Sequence, residues 1–182
     1  MGMLYKISSS FHGLAGRFKV LMIWGALVGI SACSILASPK GDPNLAVPKS
    51  FSPKWPGLVL SASADVNVNS AVAVDIVFAG TVEVQTILQN LNAGKWFSSR
   101  EGTMRTFSET LKVISLELVP GQTVMLNKSD YSKLMSTGVF VFANYATPGE
   151  HKSWIPLDDA GYVITLENRA FKVSSVLTSS KF

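Results

Sequence analysis

The residues of this chain that are suited to catalysis do not stand in the pattern that an active site needs. His151 is the single histidine after the first 32 residues, and Asp158 and Asp159 are the only adjacent acidic pair. Paired carboxylates can perform acid–base chemistry, but a hydrolytic triad needs a nucleophile and an acid around the base. We therefore interpret His151 as a solvated loop residue, and Asp158-Asp159, followed by Ala160-Gly161, as a turn.

Motifs that hold phosphates, metals or nucleophiles are also missing from the sequence. It has no Gly-rich phosphate loop, no Walker-type lysine, no G-x-S-x-G and no C-x-x-C. A metal site needs several ligands. We therefore predict no enzyme, no cofactor and no metal site, and keep as an alternative an enzyme in which one cleft joins His151 to Asp158 or Asp159.

Cys33, the only cysteine of the chain, is the residue with a distinct chemical signature. It follows Ile30-Ser31-Ala32, which ends an apolar run from Val20 preceded by Arg17 and Lys19. Cations, then an apolar segment of about 7–15 residues, then small residues describe a secretory signal peptide. The aliphatic, small, small, cysteine ending resembles a bacterial lipobox, at which the chain is cut and the thiol carries a lipid.

We interpret residues 1–32 as a lipoprotein signal peptide and Cys33 as the lipid-modified start of the mature chain. Two alternatives stay open. The nearly continuous apolar stretch Val20–Ala37 has 18 residues, within the roughly 17–25 that span a bilayer, so it could remain as an uncleaved anchor. Cys33 could also be incidental to an ordinary signal peptide. Ser34, where Asp would direct retention at the inner membrane by the enterobacterial sorting rule, favours the outer membrane.

The composition of the mature chain argues against a nucleic-acid partner. After the first 32 residues it has 13 basic and 12 acidic side chains, with no Lys/Arg cluster. Its single cysteine cannot form an internal disulfide, and a domain of this length does not need one to bury a core.

Proline content divides the mature chain into a tether and a domain. Residues 33–57 contain five of the eight prolines and no apolar periodicity, so we predict a tether there. Residues 58–182 are predicted to form one periplasmic domain.

An apolar alternation of period two runs through that domain and predicts β-strands. The predicted strands are Leu58–Asn67, Ala71–Phe78, Thr81–Ile87, Lys112–Val119, Gln122–Leu126, Val139–Tyr145, His151–Leu157, Tyr162–Glu167 and Phe171–Leu177. Pro120-Gly121 fits a type II turn, with Gln122–Leu126 as the returning hairpin partner. A two-turn helix is expected over Ala93–Arg100, capped by Asn90 or Asn92, and one helical turn over Ser129–Met135.

About eight strands with turns every 8–12 residues predict an all-β fold, an antiparallel sandwich with one or two short helices. Val139–Tyr145 is apolar on both faces, so we expect it to be a central strand. Large aromatic residues are expected in the core. These are Trp96, Phe97, Phe107, Phe140, Phe142 and Trp154.

Several motifs together resemble the TssJ family, the outer-membrane lipoproteins of type VI secretion systems. They are the lipobox at Cys33, Val-Asp-Ile-Val-Phe at 74–78, Leu-Val-Pro-Gly-Gln-Thr at 118–123, Gly-Val-Phe-Val-Phe-Ala-Asn-Tyr at 138–145, and Trp154. In that family a strand ending before Pro-Gly-Gln precedes a V-x-V-x-A-x-[YF] strand, with a Trp beyond the next turn. The resemblance covers residues 58–167.

The resemblance implies a transthyretin-like sandwich on the periplasmic face of the outer membrane. It would bind the periplasmic domain of the inner-membrane protein TssM, as part of a hetero-oligomeric trans-envelope ring, and anchor that complex through the lipid on Cys33. An alternative from another class is a periplasmic carrier or pilotin whose aromatic-lined cavity binds a lipid or a subunit peptide.

Two loops are the expected contacts with the partner, because loops on a rigid sandwich commonly provide docking surfaces. They could equally be plain connections between strands. The expected contact residues are Asn67, Val68, Asn69, Ser70, Thr147, Pro148, Gly149, Glu150, His151 and Lys152.

Overall fold

The structure, a computed structural model, describes residues 49–176. The predicted signal peptide, Cys33, most of the tether and Leu177 therefore lie outside the described residues. Within the described range, no helix is long and apolar enough to cross a membrane.

Eight strands and four helices make up the described part of the chain. In chain order they are β1 (Gly57–Ala62), α1 (Val66–Asn69), β2 (Val72–Ala79), α2 (Val82–Gln89), α3 (Ala93–Thr106), β3 (Leu111–Leu118), β4 (Thr123–Asn127), α4 (Lys128–Tyr131), β5 (Gly138–Asn144), β6 (Lys152–Ile155), β7 (Gly161–Leu166) and β8 (Phe171–Val176).

The strands form two four-stranded sheets, which confirms the predicted all-β sandwich. The first sheet has the order β4-β1-β7-β8 and the second β3-β2-β5-β6. All neighbouring strands are antiparallel except β1 and β7, which pair in parallel. The expectation of a wholly antiparallel sandwich is corrected at this pair: β1 and β7 are connected through strands of the second sheet, and such a long crossover lets two neighbouring strands run in the same direction.

The Pro120-Gly121 turn has the predicted geometry but joins strands of different sheets. Gly121 has φ +77°, and Gln122 N donates to Val119 O at 3.0 Å, as a type II turn requires. β4 then pairs with β1 rather than β3, so the predicted hairpin is wrong. Hydrogen bonds from Ala62 N to Gln122 O and from Gly121 N to Ser63 O, 2.8 and 3.1 Å long, fasten the turn to the end of β1.

The predicted strand Thr81–Ile87 is wrong, because this segment forms α2. Thr81 caps the helix by accepting a hydrogen bond from Val84 N. Val84 and Leu88, four residues apart, lie on one face of the helix and are buried. Asn92 caps α3 as predicted, and α3 continues past Arg100 to Thr106.

The core has two layers. Between the sheets, apolar side chains of both sheets pack together, among them Leu60, Ile76, Val141 and Ile164. On the outer side of the second sheet, α2 and α3 cover a smaller cluster that contains Trp96, Phe140 and Phe142, the last of these stacked 5.2 Å from Trp96. β5 is a central strand as predicted, with both faces buried.

Trp154 does not belong to the core. It lies on β6, an edge strand, and is 51% exposed. Phe97 and Phe107, also expected in the core, are partly buried against the cluster under α2 and α3.

The last part of the predicted tether packs on the domain. Trp55 is fully buried between the sheets, and its Nε1 donates to Pro156 O at 2.7 Å. Phe51 pairs with Ser136 through two backbone hydrogen bonds of 2.8 and 2.9 Å. The packed part of the chain therefore begins before Leu58, at Phe51 or earlier.

One charged cluster is buried beneath α3. Asp75 of β2 is 1% exposed and accepts a hydrogen bond from Trp96 Nε1 at 2.8 Å. Arg100, one turn further along α3, lies 3.2 Å from the same carboxylate oxygen. The cluster joins the middle of the second sheet to the middle of α3.

Candidate partner-binding site

The two loops expected to bind a partner meet at one end of the sandwich, called here the loop end. It comprises residues 63–71 between β1 and β2, residues 145–151 between β5 and β6, and residues 167–170 between β7 and β8. Since β1 and β2 belong to different sheets, the first of these loops crosses the end of the sandwich. The second is a hairpin connection, as predicted.

Asn67 is the residue that ties the loops together. Its side chain is 5% exposed; Oδ1 accepts a hydrogen bond from Ala146 N, and Nδ2 donates to Ala71 O, both at 2.7 Å. Its backbone N donates to Glu167 O. One residue thus fixes all three loops relative to each other.

The segment after Val66 is a left-handed turn. Asn67, Val68 and Asn69 have φ values of 46°, 56° and 60°, a region that Asn enters more easily than most residues and that a β-branched residue avoids. Val68 N donates to Asn168 O at 3.2 Å, and the Val68 side chain is 48% exposed. The turn therefore presents an apolar side chain to solvent.

The neighbouring hairpin turn is held by a stack of two rings. The centroids of Tyr145 and His151 lie 4.6 Å apart, and His151 Nε2 lies 2.8 Å from Thr147 O. A Cβ at Gly149 would stand 2.6 Å from the His151 ring, so any other residue there would displace the ring. His151 itself has φ 39°.

The same hairpin turn is fastened to the α2–α3 junction. Ala93 N, at the start of α3, donates to Glu150 O at 2.9 Å. Lys152 Nζ donates to Gln89 O, at the end of α2, at 2.7 Å, where a cation suits the helix dipole. A cavity of about 290 Å³ lies between the start of α3 and residues 143–151 of the hairpin.

The structure brings the ten predicted contact residues together but does not expose them all. Asn67 is buried and acts as a support, and His151 and Lys152 are partly buried by their own contacts. The exposed members are Val68, Asn69, Ser70, Pro148, Gly149 and Glu150. Thr147 is partly buried, and its Oγ1 has no hydrogen-bond partner.

Two ionisable groups at the loop end have shifted pKa values, one lowered and one raised. The Ser63 hydroxyl donates to Asp65 Oδ1 at 2.7 Å and lowers the pKa of that carboxyl group, to which Asn168 Nδ2 also donates. Tyr145 donates its hydroxyl to Ala170 O at 2.6 Å, and burial raises the pKa of Tyr145 to about 12. Tyr145 is therefore a neutral donor throughout the physiological range.

Three residues that support this end were not predicted from the sequence. Ala146 contributes its backbone N–H, Tyr145 its hydroxyl, and Asn168 both its backbone carbonyl and its side chain. The polar turn Glu167-Asn168-Arg169 between two strands was the available signal. It locates a loop, but not the end of the sandwich on which the loop lies.

The alternative catalytic grouping is not assembled. β6 separates His151 from Asp158, which places them at opposite ends of that strand. Asp158 instead accepts hydrogen bonds from the Tyr162 hydroxyl at 2.9 and 3.0 Å. Across residues 49–176, no three His, Cys, Asp or Glu residues are grouped as a metal site would require.

No family model matches the sequence, and no curated protein is significantly similar to it. Solved structures do match. A chain of a type VI membrane complex is 14% identical, with a TM-score of 0.51, over 69% of this chain and 98% of that one. The type VI secretion lipoprotein TssJ1 of Pseudomonas aeruginosa has 13% identity and a TM-score of 0.49, and the match covers 71% of this chain and 97% of TssJ1. The Serratia marcescens protein Lip, described as a membrane-bound component of the type VI secretion system, has 13% identity and a TM-score of 0.48 over 70% and 98%.

The match at a TM-score of 0.51 extends over nearly all of the chain from the type VI membrane complex. Its coverage of this chain is close to the share that the described residues make up. The resemblance noted in the sequence is thereby confirmed at the level of the fold.

Proposed function

We propose that this protein is an outer-membrane lipoprotein of a type VI secretion membrane complex. Lipidated Cys33 holds it on the periplasmic face of the membrane. The β-sandwich binds the periplasmic domain of a TssM-like inner-membrane protein through the loop end. The observation that carries the proposal is the fold shared with a chain of a type VI membrane complex, together with the lipobox-like sequence ending at Cys33.

The build of the loop end supports a docking role. Its three loops are cross-linked by Asn67, and a preorganised surface loses little conformational entropy on binding. Val68 and the turn Pro148–Glu150 are exposed on it. A lipid anchor on Cys33 fits this role. One acyl chain binds a membrane only marginally, whereas two or more hold a protein there stably, so a multiply acylated cysteine could keep a bound complex at the membrane.

The carrier alternative lacks the feature that would favour it. A carrier of the predicted kind needs a large apolar cavity between the sheets. That space is occupied by side chains such as Trp55, Phe78 and Leu166, each at most 1% exposed. We therefore propose only the secretion-complex role.

The lipid anchor is tested on the full-length chain in a Gram-negative host. Mass spectrometry of the membrane-extracted protein should find the chain starting at an acylated Cys33. The Cys33→Ser variant should fold but leave the outer-membrane fraction, because it lacks the thiol that carries the lipid. An unmodified thiol in the membrane-bound wild type would contradict the anchor while leaving partner binding untouched.

Partner binding is tested with a fragment that begins at Pro43 and therefore keeps Trp55. It should bind the periplasmic domain of the TssM-like protein at micromolar concentrations. Val68→Asp should weaken binding by at least about tenfold, roughly 1.4 kcal/mol. Val82→Asp is the matched control: Val82 is 41% exposed and follows the opposite end of β2. Equal affinities of the two variants would remove the loop end from the interface, and no binding by the wild type would refute the partner.

A further inference from the structure

The end of the sandwich opposite the loop end has a concentration of positive charge. It is called here the tether end and comprises residues 49–54, which precede β1, and residues 128–136, which lie between β4 and β5. β1 begins and β4 ends beside it, at the pair Gly57 and Asn127. The tether end has four lysines and one acidic residue, whereas the rest of residues 49–176 has seven cations and ten acidic residues.

The two segments of the tether end are joined into one surface. Phe51 and Ser136 pair through two backbone hydrogen bonds of 2.8 and 2.9 Å. The Tyr131 hydroxyl donates to Trp55 O at 3.1 Å, which fastens the second segment to the residue that follows the first. Residues far apart in the sequence therefore present their exposed side chains from the same end of the domain.

The exposed side chains of the tether end combine cations with large apolar groups. The four lysines are exposed and form no ion pair with a described residue. The acidic residue, Asp130, accepts a hydrogen bond from Asn127 N at 2.8 Å in the cap of α4. Phe51 is 50% and Met135 54% exposed. The set is Lys49, Phe51, Lys54, Lys128, Lys133 and Met135.

A lipid surface suits this combination of side chains. Apolar side chains enter the boundary between headgroups and acyl chains, while neighbouring cations attract anionic headgroups. Lysine fits both surroundings, because its apolar stem can lie along the boundary while its ammonium group stays in water.

We propose that the tether end rests on the membrane that holds the lipid of Cys33, and that it binds anionic lipid headgroups there. This inference builds on the anchor in the proposed function. Lys49 follows Cys33 by 16 residues, a span of at most about 55 Å. The tether therefore keeps these lysines near the lipid surface and makes the contact intramolecular. The loop end, on the opposite side of the domain, then faces away from the membrane.

Lysine acylation on the full-length lipoprotein tests the contact. The protein is reconstituted in vesicles that contain phosphatidylglycerol and, for comparison, in vesicles of phosphatidylcholine alone. Phosphatidylglycerol should slow acylation of Lys49, Lys54, Lys128 and Lys133 about threefold or more. Lys95, exposed at the start of α3 beside the loop end, is the internal control and should react equally in both. Equal rates at the four lysines in the two kinds of vesicle would overturn the proposal.

A charge-reversal variant separates lipid binding from the anchor. Lys128→Glu combined with Lys133→Glu should abolish the protection of Lys49 and Lys54, whereas the control Lys95→Glu should leave it intact. Protection that survives in the double variant would also overturn the proposal. If the proposed lipid is absent, the free thiol of Cys33 is coupled to a maleimide lipid and the same measurement is made, so a failed anchor and a failed contact give different results.

Discussion

Val68 has a backbone conformation that β-branched residues avoid. Its φ and ψ are 56° and 49°, and the left-handed region costs an L-residue roughly 1–2 kcal/mol. The Asn residues on either side tolerate it better. Strain of this kind persists where surrounding structure imposes it, and it is concentrated at binding and catalytic sites. The loop end keeps an exposed valine where asparagine would suit the backbone better.

Replacing Val68 by asparagine should therefore stabilise the domain. The side chain is half exposed, so little packing is lost, and relief of strain should raise the free energy of unfolding by about 1 kcal/mol, or the melting temperature by about 2–4 °C. Thermal unfolding checks this. The reciprocal change Asn69→Val should lower the melting temperature; a loss of stability in Val68→Asn would show that the valine is packed rather than strained.

Two buried tyrosines should make the domain sensitive to alkaline pH. Burial raises the pKa of Tyr145 to about 12. Burial, and then the hydrogen bond and charge of Asp158, raise the pKa of Tyr162 to about 12. An unfolded tyrosine titrates near pH 10, so between about pH 10 and 12 the unfolded chain has lost protons that the folded chain retains. The stabilisation is complete below about pH 10 and is lost as the pH rises towards 12.

Urea unfolding at a series of pH values measures this dependence. The free energy of unfolding should fall between about pH 10 and 12 by no more than about 1.4 kcal/mol per pH unit for each tyrosine. Tyr145→Phe should reduce that slope while costing about 1 kcal/mol at pH 7 through the lost hydrogen bond to Ala170 O. An unchanged slope would mean that Tyr145 titrates as it does in the unfolded chain.

At the residue scale, local backbone chemistry was readable from the sequence. The left-handed turn at Asn67–Asn69, the Asn92 cap and the Gly121 turn each depend on residues next to them in the chain. The hydrogen bond from Ala146 N to Asn67 Oδ1 joins residues 79 positions apart, so it follows from the fold and not from the neighbours of either residue.

At the scale of elements, the error at α2 has a definite cause. Val82-Glu83-Val84 and Thr86-Ile87 alternate as a strand does, and Val84 and Leu88 have helical spacing at the same time. Short apolar runs are ambiguous between the two periods. The Thr81 cap and the apolar face of the second sheet, which needs cover, favour the helix. The cap could be predicted from the sequence, but the apolar face of the sheet that the helix covers could not.

α3 depends on the buried carboxylate of Asp75 more than on its own sequence. Glycines, serines and threonines make up nearly half of its 14 residues, and such residues are poor helix formers. Only Ala93 and Trp96 are buried. The hydrogen bond from Trp96 and the ion pair with Arg100 therefore hold the middle of the helix on β2. An aspartate within the apolar run Val72–Ala79 was the sequence signal for such a partner.

Substitution of Arg100 should lower the free energy of unfolding more than substitution of Asp75. Arg100→Gln leaves the buried carboxylate of Asp75, 1% exposed, without its cation. The free energy of unfolding should fall by about 2–3 kcal/mol. This is somewhat less than for a fully buried ion pair, because Arg100 is partly exposed. Asp75→Asn should cost less, because the Arg100 side chain is 35% exposed and can turn to water, while the amide oxygen of the substituted side chain still accepts from Trp96. Urea unfolding measures both, and hydrogen exchange in α3 should rise most in Arg100→Gln. A larger cost for Asp75→Asn would reverse the interpretation.

At the scale of the whole molecule, eight of the nine predicted strands are present, but their arrangement was not predictable. Turn residues at regular spacing separate the strands, and period-two alternation identifies them. Whether a turn stays within a sheet or crosses between sheets depends on contacts made later in the chain. β4 follows β3 and pairs with β1, and β7 then pairs with β1 from the other side. The meeting of the three loops at one end is a consequence of that order.

Trp55 lies near the end of the predicted tether but is buried in the core, so the stability of the whole domain should depend on it. Its ring centroid lies 5.2 Å from that of Tyr131 and 5.9 Å from that of Tyr162, and the Tyr131 hydroxyl donates to Trp55 O at 3.1 Å. Trp55→Ala should lower the free energy of unfolding by about 3–5 kcal/mol, a large share of the roughly 5–15 kcal/mol typical of a domain.

Shortening the chain from its N-terminal side tests whether the segment that contains Trp55 is part of the folded domain or only a linker. A fragment that begins at Leu58 loses Trp55 and the Phe51–Ser136 bridge, so it should be unfolded or nearly so at about 37 °C by circular dichroism. A fragment that begins at Lys49 keeps both and should melt as the full-length chain does. If both fragments melted alike, Trp55 would be dispensable. If the prediction is correct, residues 51–57 belong to the folded domain, because the contacts of Phe51 and Trp55 with the core are then needed for its stability.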